Sequence, residues 1–259
     1  MKLTSFASGS SGNCILVRSG DTNVLVDAGI SMKRIRGCLV ACGLCFDDLS
    51  GVFITHEHSD HVSGLTMLLK HTALRVFAPR SVASRLMGMF PGIEDRLSVI
   101  HTGEPTAVSG LSVRPFHTLH DTPESVGYRF EADCAVGVCT DLGCLTDEVR
   151  EGLSGVKAAL IEANHDEEML RYGAYPVYLK RRILSEHGHL SNAAGGELAA
   201  ELAEAGAEKI VLGHLSRENN TPAKAYGTVL ELLESRGLAP ELSVAPPDGI
   251  LTVEVGAGC

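Results

Sequence analysis

The chain is predicted to fold as an α/β sandwich. Three observations predict it: short runs rich in Val, Ile and Leu recur along the chain, two clearly bounded amphipathic helices lie in the C-terminal third, and several apolar runs end on His, Asp or Glu. Taken in order, the runs place strands around residues 14–17, 24–26, 52–55, 76–78, 113–116, 136–140, 158–162, 210–213 and 250–255. One helix is expected over residues 191–205, where Leu198 and Leu202 stand one turn apart and Gly206 is the stop. A second is expected after Thr221 as N-cap, with Pro222 at its first position, Leu230 and Leu233 on one face and Gly237 closing it. The early strands are expected to follow one another largely without helices, and the later ones to alternate with them.

At 259 residues and 44% hydrophobic, the chain suits one core, read as a single hydrolase domain over residues 1–259. No apolar run approaches the ~20 residues of a membrane span. The start, Met1-Lys2-Leu3-Thr4-Ser5, lacks a signal-peptide stretch, so a cytoplasmic protein with no membrane association is expected. The eight cysteines (Cys14, Cys38, Cys42, Cys45, Cys134, Cys139, Cys144, Cys259) have no framework spacing, and the pair in Cys42-Gly43-Leu44-Cys45 stands alone. Reduced thiols are expected throughout. A net charge of −10 argues against general adhesion to polyanions, leaving Lys180-Arg181-Arg182, with Arg171 nearby, as a local basic run. That run reads either as a solvated helix face or as a phosphate-binding patch.

The chemistry concentrates in Thr55-His56-Glu57-His58-Ser59-Asp60-His61, directly after an apolar strand. His56 and His58 at i, i+2 can turn their rings to one point, and Asp60 and His61, opening a helix, can reach a second. Four such ligands cannot fill two coordination spheres, so others must arrive from elsewhere. Strand ends supply candidates: Asp27, Asp141, Glu162 followed by His165, His214, and the pair His117 and His120.

Asp27, the 55–61 stretch, His120, Asp141 and His214 resemble the successive motifs of the metallo-β-lactamase fold. More narrowly, Ala7-Ser8-Gly9-Ser10-Ser11-Gly12-Asn13, Glu162-Ala163-Asn164-His165-Asp166, Gly188-His189-Leu190-Ser191-Asn192 and His214-Leu215-Ser216-Arg217-Glu218-Asn219-Asn220 resemble the YycJ/WalJ group of exonucleases, akin to ribonuclease Z. The resemblance implies a four-layered αβ/βα sandwich holding two divalent cations, and a ligand set of nitrogen and oxygen without cysteine suits Zn²⁺ or Mn²⁺. One is implied at His56, His58 and His120, the other at Asp60, His61 and His214, with Asp141 bridging and Asp27 supporting the loop from behind. It favours His120, with His117 in reserve.

Paired cations lower the pKa of a shared water, so that hydroxide exists near neutral pH and attacks a phosphodiester whose charge they screen. Asp60 is expected to orient that water, and His189, by the resemblance, to protonate the departing oxygen. Ser8, Ser10, Asn13, Asn164, His165 and Arg217 are candidate substrate contacts, whereas His71, His101 and His187 read as surface histidines. The expected function is exonucleolytic trimming of nucleic acid from the 5′ end, DNA favoured over RNA, without an obligatory protein partner. A small-molecule phosphodiesterase or thioesterase of the same fold, and a noncatalytic metal-binding module, are the alternatives.

Overall fold

The computed structural model describes residues 1–256, so Cys259 lies outside the described residues. The strands of its first half are β1 (Lys2–Ala7), β2 (Cys14–Ser19), β3 (Thr22–Val26), β4 (Gly51–Phe53), β5 (Val76–Pro79) and β6 (Leu97–Ile100). Those that follow are β7 (Thr106–Val108), β8 (Leu111–Thr118), β9 (Ser125–Glu131), β10 (Ala135–Cys139), β11 (Ala158–Glu162), β12 (Lys209–Gly213), β13 (Glu241–Val244) and β14 (Leu251–Glu254). The helices are α1 (Met32–Ala41), α2 (Ser59–Val62), α3 (Leu65–His71), α4 (Arg80–Met89), α5 (Asp147–Leu153), α6 (Glu167–Tyr172), α7 (Val177–Ile183), α8 (Asn192–Glu204) and α9 (Pro222–Ser235).

Two seven-stranded sheets result, ordered β14-β1-β2-β3-β4-β5-β6 and β13-β12-β11-β10-β9-β8-β7. Side chains alternate across each strand, and the alternation sorts them into three apolar layers. In β2, Ile15 and Val17 face the second sheet while Cys14 and Leu16 face outward; in β12, Val211 faces inward while Ile210 and Leu212 face outward. The middle layer, including Phe53, Phe77, Tyr128 and Phe130, joins the sheets. Outside the first sheet pack Ile35 and Leu39 of α1, Leu65 and Leu68 of α3 and Val82 and Leu86 of α4. Outside the second pack Leu153 of α5, Leu198 and Leu202 of α8 and Val229 and Leu233 of α9. This is the helix–sheet–sheet–helix order expected of the fold.

Both anticipated helices form, capped by the Ser191 and Thr221 side chains, which accept from the backbone N–H of Ala194 and Lys224. The expectation of few helices among the early strands needs correction, since α1, α3 and α4 separate the parallel strands β3 to β6. Their apolar faces are thin. In α1 only Met32, Ile35 and Leu39 are buried, at i, i+3 and i+7 among Lys33, Arg34 and Arg36, a stripe too sparse to stand out from the basic residues around it. Strands β1, β6, β7, β9 and β13 are additional to the expected set. β9 (Ser-Val-Gly-Tyr-Arg-Phe-Glu) hides its signal behind Gly127 and Arg129, although it is paired on both sides by β8 and β10.

Strands β3 and β4 in one sheet, and β10, β11 and β12 in the other, run parallel to one another, and β8 lies two antiparallel steps from β10, so it points the same way. Their carboxyl ends therefore gather along one edge of the sandwich, where loops can converge. Tyr128 ties the sheets together there, its hydroxyl donating to the Ile54 carbonyl at 2.6 Å. Gly29 sets how closely the loops approach, because a Cβ on it would stand 1.6 Å from the Asp60 carbonyl oxygen. Gly29→Ala should push the Asp60 loop away and destabilise the protein by about 1–3 kcal/mol. A lowered melting temperature in thermal unfolding, with the helical signal retained at low temperature, would register this; an unchanged one would refute it.

Candidate metal centre

Each strand end at this edge delivers a titratable side chain. After β3 comes Asp27, after β4 the 55–61 loop, after β8 His120, and after β10, β11 and β12 come Asp141, Glu162 (the last residue of its strand) and His214. Asp27, Asp141 and His214 all have left-handed backbones, with φ of 60°, 60° and 54°. Asp and His tolerate that region better than most residues, and it turns the chain sharply off the strand so that the side chain points back over the sheet edge. His58 caps α2, whose first turn carries Asp60 and His61.

Donor atoms from these elements fall into overlapping groups, each with its atoms within 4.8 Å of one another: His56, His58 and His120; Asp60, His61 and His214; His56, His61 and Asp141; and Asp141, Glu162, His189 and His214. Asp141 is common ground. Its Oδ2 lies 3.1 Å from His61 Nε2, and its Oδ1 lies 3.5 Å from His214 Nδ1 and 3.7 Å from both His120 Nε2 and His189 Nδ1.

The hydrogen bonds at the back of the cluster determine which ring nitrogen is left to face it. Asp27 Oδ1 accepts from the Thr55 backbone N–H, and its Oδ2 accepts from Thr55 Oγ1 at 2.9 Å and from His61 Nδ1 at 2.7 Å. With its hydroxyl proton given to Asp27, Thr55 Oγ1 accepts from His56 Nδ1 at 3.0 Å. His214 Nδ1 donates to Glu162 Oε1 at 2.7 Å, and His120 Nδ1 to the Gly188 carbonyl at 3.1 Å. Four imidazoles thus have Nδ1 held from behind and Nε2 turned toward the cluster, the orientation that metal-binding histidines adopt. His56 Nε2 and His214 Nε2 are buried without a hydrogen-bond partner, as is Asp141 Oδ2. Buried polar atoms are rarely orphaned, and these three belong to the overlapping groups whose donor atoms fit divalent cations.

Charge points the same way. Asp27, Asp141 and Glu162 are 2% exposed or less, and Asp60 stands beside them. Burial would push Glu162 up, but His189 and His214 hold it at about 2, and burial of Asp60 is likewise outweighed by His214 and His61, which keep it ionised. In return Asp141, Asp60 and Glu162 overcome the burial of His214 and push it up to about 10. Burial and the neighbouring His61 hold His56 well below its ordinary value, neutral with a bare Nε2. So many buried carboxylates require positive partners, either protons on His61 and His214 or cations in their place.

His120, half of an open pair at the sequence level, joins the cluster, whereas His117 is exposed on β8. Asp27 sits behind the 55–61 loop, bonded to Thr55 and His61. His189, 22% exposed in its side chain, holds Glu162 Oε1 through Nδ1 at 2.8 Å. Among the expected substrate contacts, Ser10 and Asn164 line a cleft with His120, His189, Tyr175 and Arg182. Ser8 and Asn13 require correction, because each is 1% exposed and faces inward. Ser8 Oγ accepts from the His214 N–H, while Asn13 Oδ1 accepts from the Gly9 N–H and its Nδ2 sits 3.0 Å from His61 Nε2. His165 is also buried, and Arg217 is exposed and donates to Ser11.

Glu162 is the residue sequence reasoning undervalued. It stood as a strand-end acid and the first residue of the 162–166 motif with no role assigned, yet it accepts from His189, His214 and the backbone N–H groups of Leu142 and Leu190. Asp121 was missed altogether. It lies 3.2 Å from His120 Nε2 and pairs with Arg182, and its adjacency to His120 was the only available signal. Seven cysteines are free, and none belongs to a metal-holding group among the described residues. No described helix is long and apolar enough to cross a membrane.

Residues 22–215 match the family model described as a β-lactamase superfamily domain. The chain is 35% identical over 235 residues to exodeoxyribonuclease YycJ of Bacillus anthracis, covering 89% of this chain and 88% of that protein. It is 34% identical over 243 residues to exodeoxyribonuclease WalJ of Streptococcus pneumoniae, covering 92% and 90% respectively. Among solved structures, the metallo-β-lactamase fold protein YhfI from Bacillus subtilis superposes with a TM-score of 0.71 at 17% identity, over 97% of this chain and 99% of that one.

Proposed function

The chain belongs to the β-lactamase superfamily domain family and is a metal-dependent hydrolase of the metallo-β-lactamase fold; from that membership we propose that it is a two-cation phosphodiesterase that trims DNA from the 5′ end. Residues 1–259 act in this reading as one hydrolase domain, in the cytoplasm and without an obligatory protein partner. One cation, Zn²⁺ or Mn²⁺, would be held by His56, His58 and His120, the other by Asp60, His61 and His214, with Asp141 standing between the two sets. The observation carrying the reading is the sharing itself: Asp141 stands 3.1 to 3.7 Å from His61, His214 and His120, which belong to the two sets.

Two cations held there would supply a water acidic enough to ionise near neutral pH and would screen the charge of a phosphodiester. The chain's own residues do the rest. Asp60, less buried than the other carboxylates, orients the attacking water. His189 uses Nδ1 to hold Glu162, so its Nε2 is the atom free to give a proton to the departing sugar oxygen. Glu162 fixes the rings of His189 and His214 together, keeping donor and cluster in one geometry. Ser10, Asn164 and Arg182 line the approach, Arg182 supplying positive charge to the cleft.

End-labelled single- and double-stranded DNA and RNA, incubated with the protein and added Mn²⁺ or Zn²⁺, provide the test. The expected result is stepwise release of nucleotides from the 5′ end of DNA, faster than from RNA. Cleavage restricted to bis-p-nitrophenyl phosphate and cyclic nucleotides would replace the polymer substrate with a small one, and hydrolysis of glutathione thioesters alone would overturn the phosphodiester reading. Protein that takes up no metal and cleaves none of these would be a noncatalytic module.

A further inference from the structure

The segment joining α6 to α7 has a composition unlike the rest of the chain. From Met169 to Ser185 there is no Asp or Glu, in a protein of net charge −10, while Arg171, Lys180, Arg181 and Arg182 all fall inside it. The same stretch holds Tyr172, Tyr175 and Tyr178, three of the five tyrosines, at steps of three residues. Tyr172 and Tyr178 are 79% and 75% exposed, more than any other large hydrophobic side chain described. Exposed tyrosine rings in such number, flanked by arginine, are costly to leave in water without a use.

The segment is continuous with the candidate metal centre. Tyr175, Leu179 and Arg182 line the cleft that also receives His120 and His189. It is also held in place: Lys180 Nζ donates to the carbonyls of Arg171 and Gly173 at 2.8 and 2.7 Å, tying α7 to the end of α6. Arg182 pairs with Asp121 at the cleft, whereas Arg171 and Arg181 are exposed.

We propose that the α6–α7 segment is a docking platform for single-stranded polynucleotide, on which Tyr172 and Tyr178 stack successive bases while Arg171 and Arg181 contact the backbone phosphates, leading the strand past Tyr175 and Arg182 to the metal centre. The proposal rests on the nuclease reading above and deepens it by naming an unpaired strand as the form that enters. Stacking suits a trimming enzyme because every base has a π-face, so grip is kept as the sequence changes. The guanidinium groups of the same segment add phosphate attraction in a chain whose net charge is −10. An interface between copies of the chain would also cover tyrosines, but a cluster of like positive charges on both faces would oppose it.

The test compares the metal-loaded wild type with Tyr172→Ala/Tyr178→Ala and Arg171→Ala/Arg181→Ala, residues that belong to no metal-holding group, do not line the cleft and are exposed enough for folding to survive. Binding is read by anisotropy with a cleavage-resistant phosphorothioate oligodeoxythymidylate, and chemistry with bis-p-nitrophenyl phosphate. The tyrosine variant should bind about 10- to 100-fold more weakly. The arginine variant should flatten the slope of log affinity against log salt by about 1.4, at ~0.7 per lost phosphate contact on a single strand. Both should hydrolyse the small diester as fast as wild type. Equal oligonucleotide affinity in wild type and tyrosine variant overturns the platform while leaving the nuclease intact. A wild type that hydrolyses the small diester but neither binds nor cuts polynucleotide overturns both. A wild-type dimer that the tyrosine substitutions convert to monomer, with affinity unchanged, assigns the patch to self-association and also overturns the proposal.

Discussion

Asp60→Ala should lower the bound metal from two equivalents toward one and reduce DNA trimming by about three orders of magnitude or more. Asp60 Oδ2 lies 3.5 Å from His61 Nε2 and 3.6 Å from His214 Nε2, so it completes a group that two imidazoles cannot hold alone. Nearby, the His56, His58 and His120 group does not use Asp60, and should keep its cation. Asn13 Nδ2, 3.4 Å from the same oxygen, would lose only a long contact, so folding should survive. Metal analysis of the purified variant by mass spectrometry, alongside the end-labelled DNA assay, gives the readout. Two retained equivalents with undiminished trimming would remove Asp60 from the centre.

His189→Ala should leave metal content intact and slow DNA trimming by about 10²- to 10⁴-fold, the usual contribution of a positioned proton donor. The effect should depend on the leaving group. A sugar oxygen needs a proton as it departs, whereas p-nitrophenolate does not, so bis-p-nitrophenyl phosphate should be hydrolysed by the variant nearly as fast as by wild type. The pH profile supplies a second signature. Burial would lower the pKa of His189, but Glu162 and Asp141 outweigh it and raise it above the ordinary value. A raised pKa keeps the donor protonated at neutral pH, and activity should fall as pH rises through it; that alkaline limb should vanish in the variant. Equal slowing on both substrates, with the limb unchanged, would mean that His189 merely supports Glu162.

Much of this architecture was legible in local sequence. Short runs of Val, Ile and Leu marked strands of both sheets wherever the run was uniformly apolar, as in Val24-Leu25-Val26 or Ile210-Val211-Leu212. Where the signal was diluted it failed: β9 contains Gly127 and Arg129, and α1 spreads three buried residues among three basic ones. Such elements owe their form to neighbours already in place, which no window of sequence contains.

The sequence alone determined that the chain carries a dense His and Asp loop after an apolar strand and a reserve of acids and histidines at other strand ends, because ligand type and local spacing are covalent facts. Only the tertiary structure decided among them. His117 and His120 differ by three residues, yet one ends on the solvent face of β8 and the other past its end in the cluster, since strand pleat alternates the side chains and the turn redirects them. Ser8 and Asn13, which read as substrate contacts, became inward supports, and Glu162 became the carboxylate joining His189 to His214. The physical reason is common to all three: a hydrogen bond between residues 52 or 206 apart is set by how two sheets pack, and packing is a property of the whole chain.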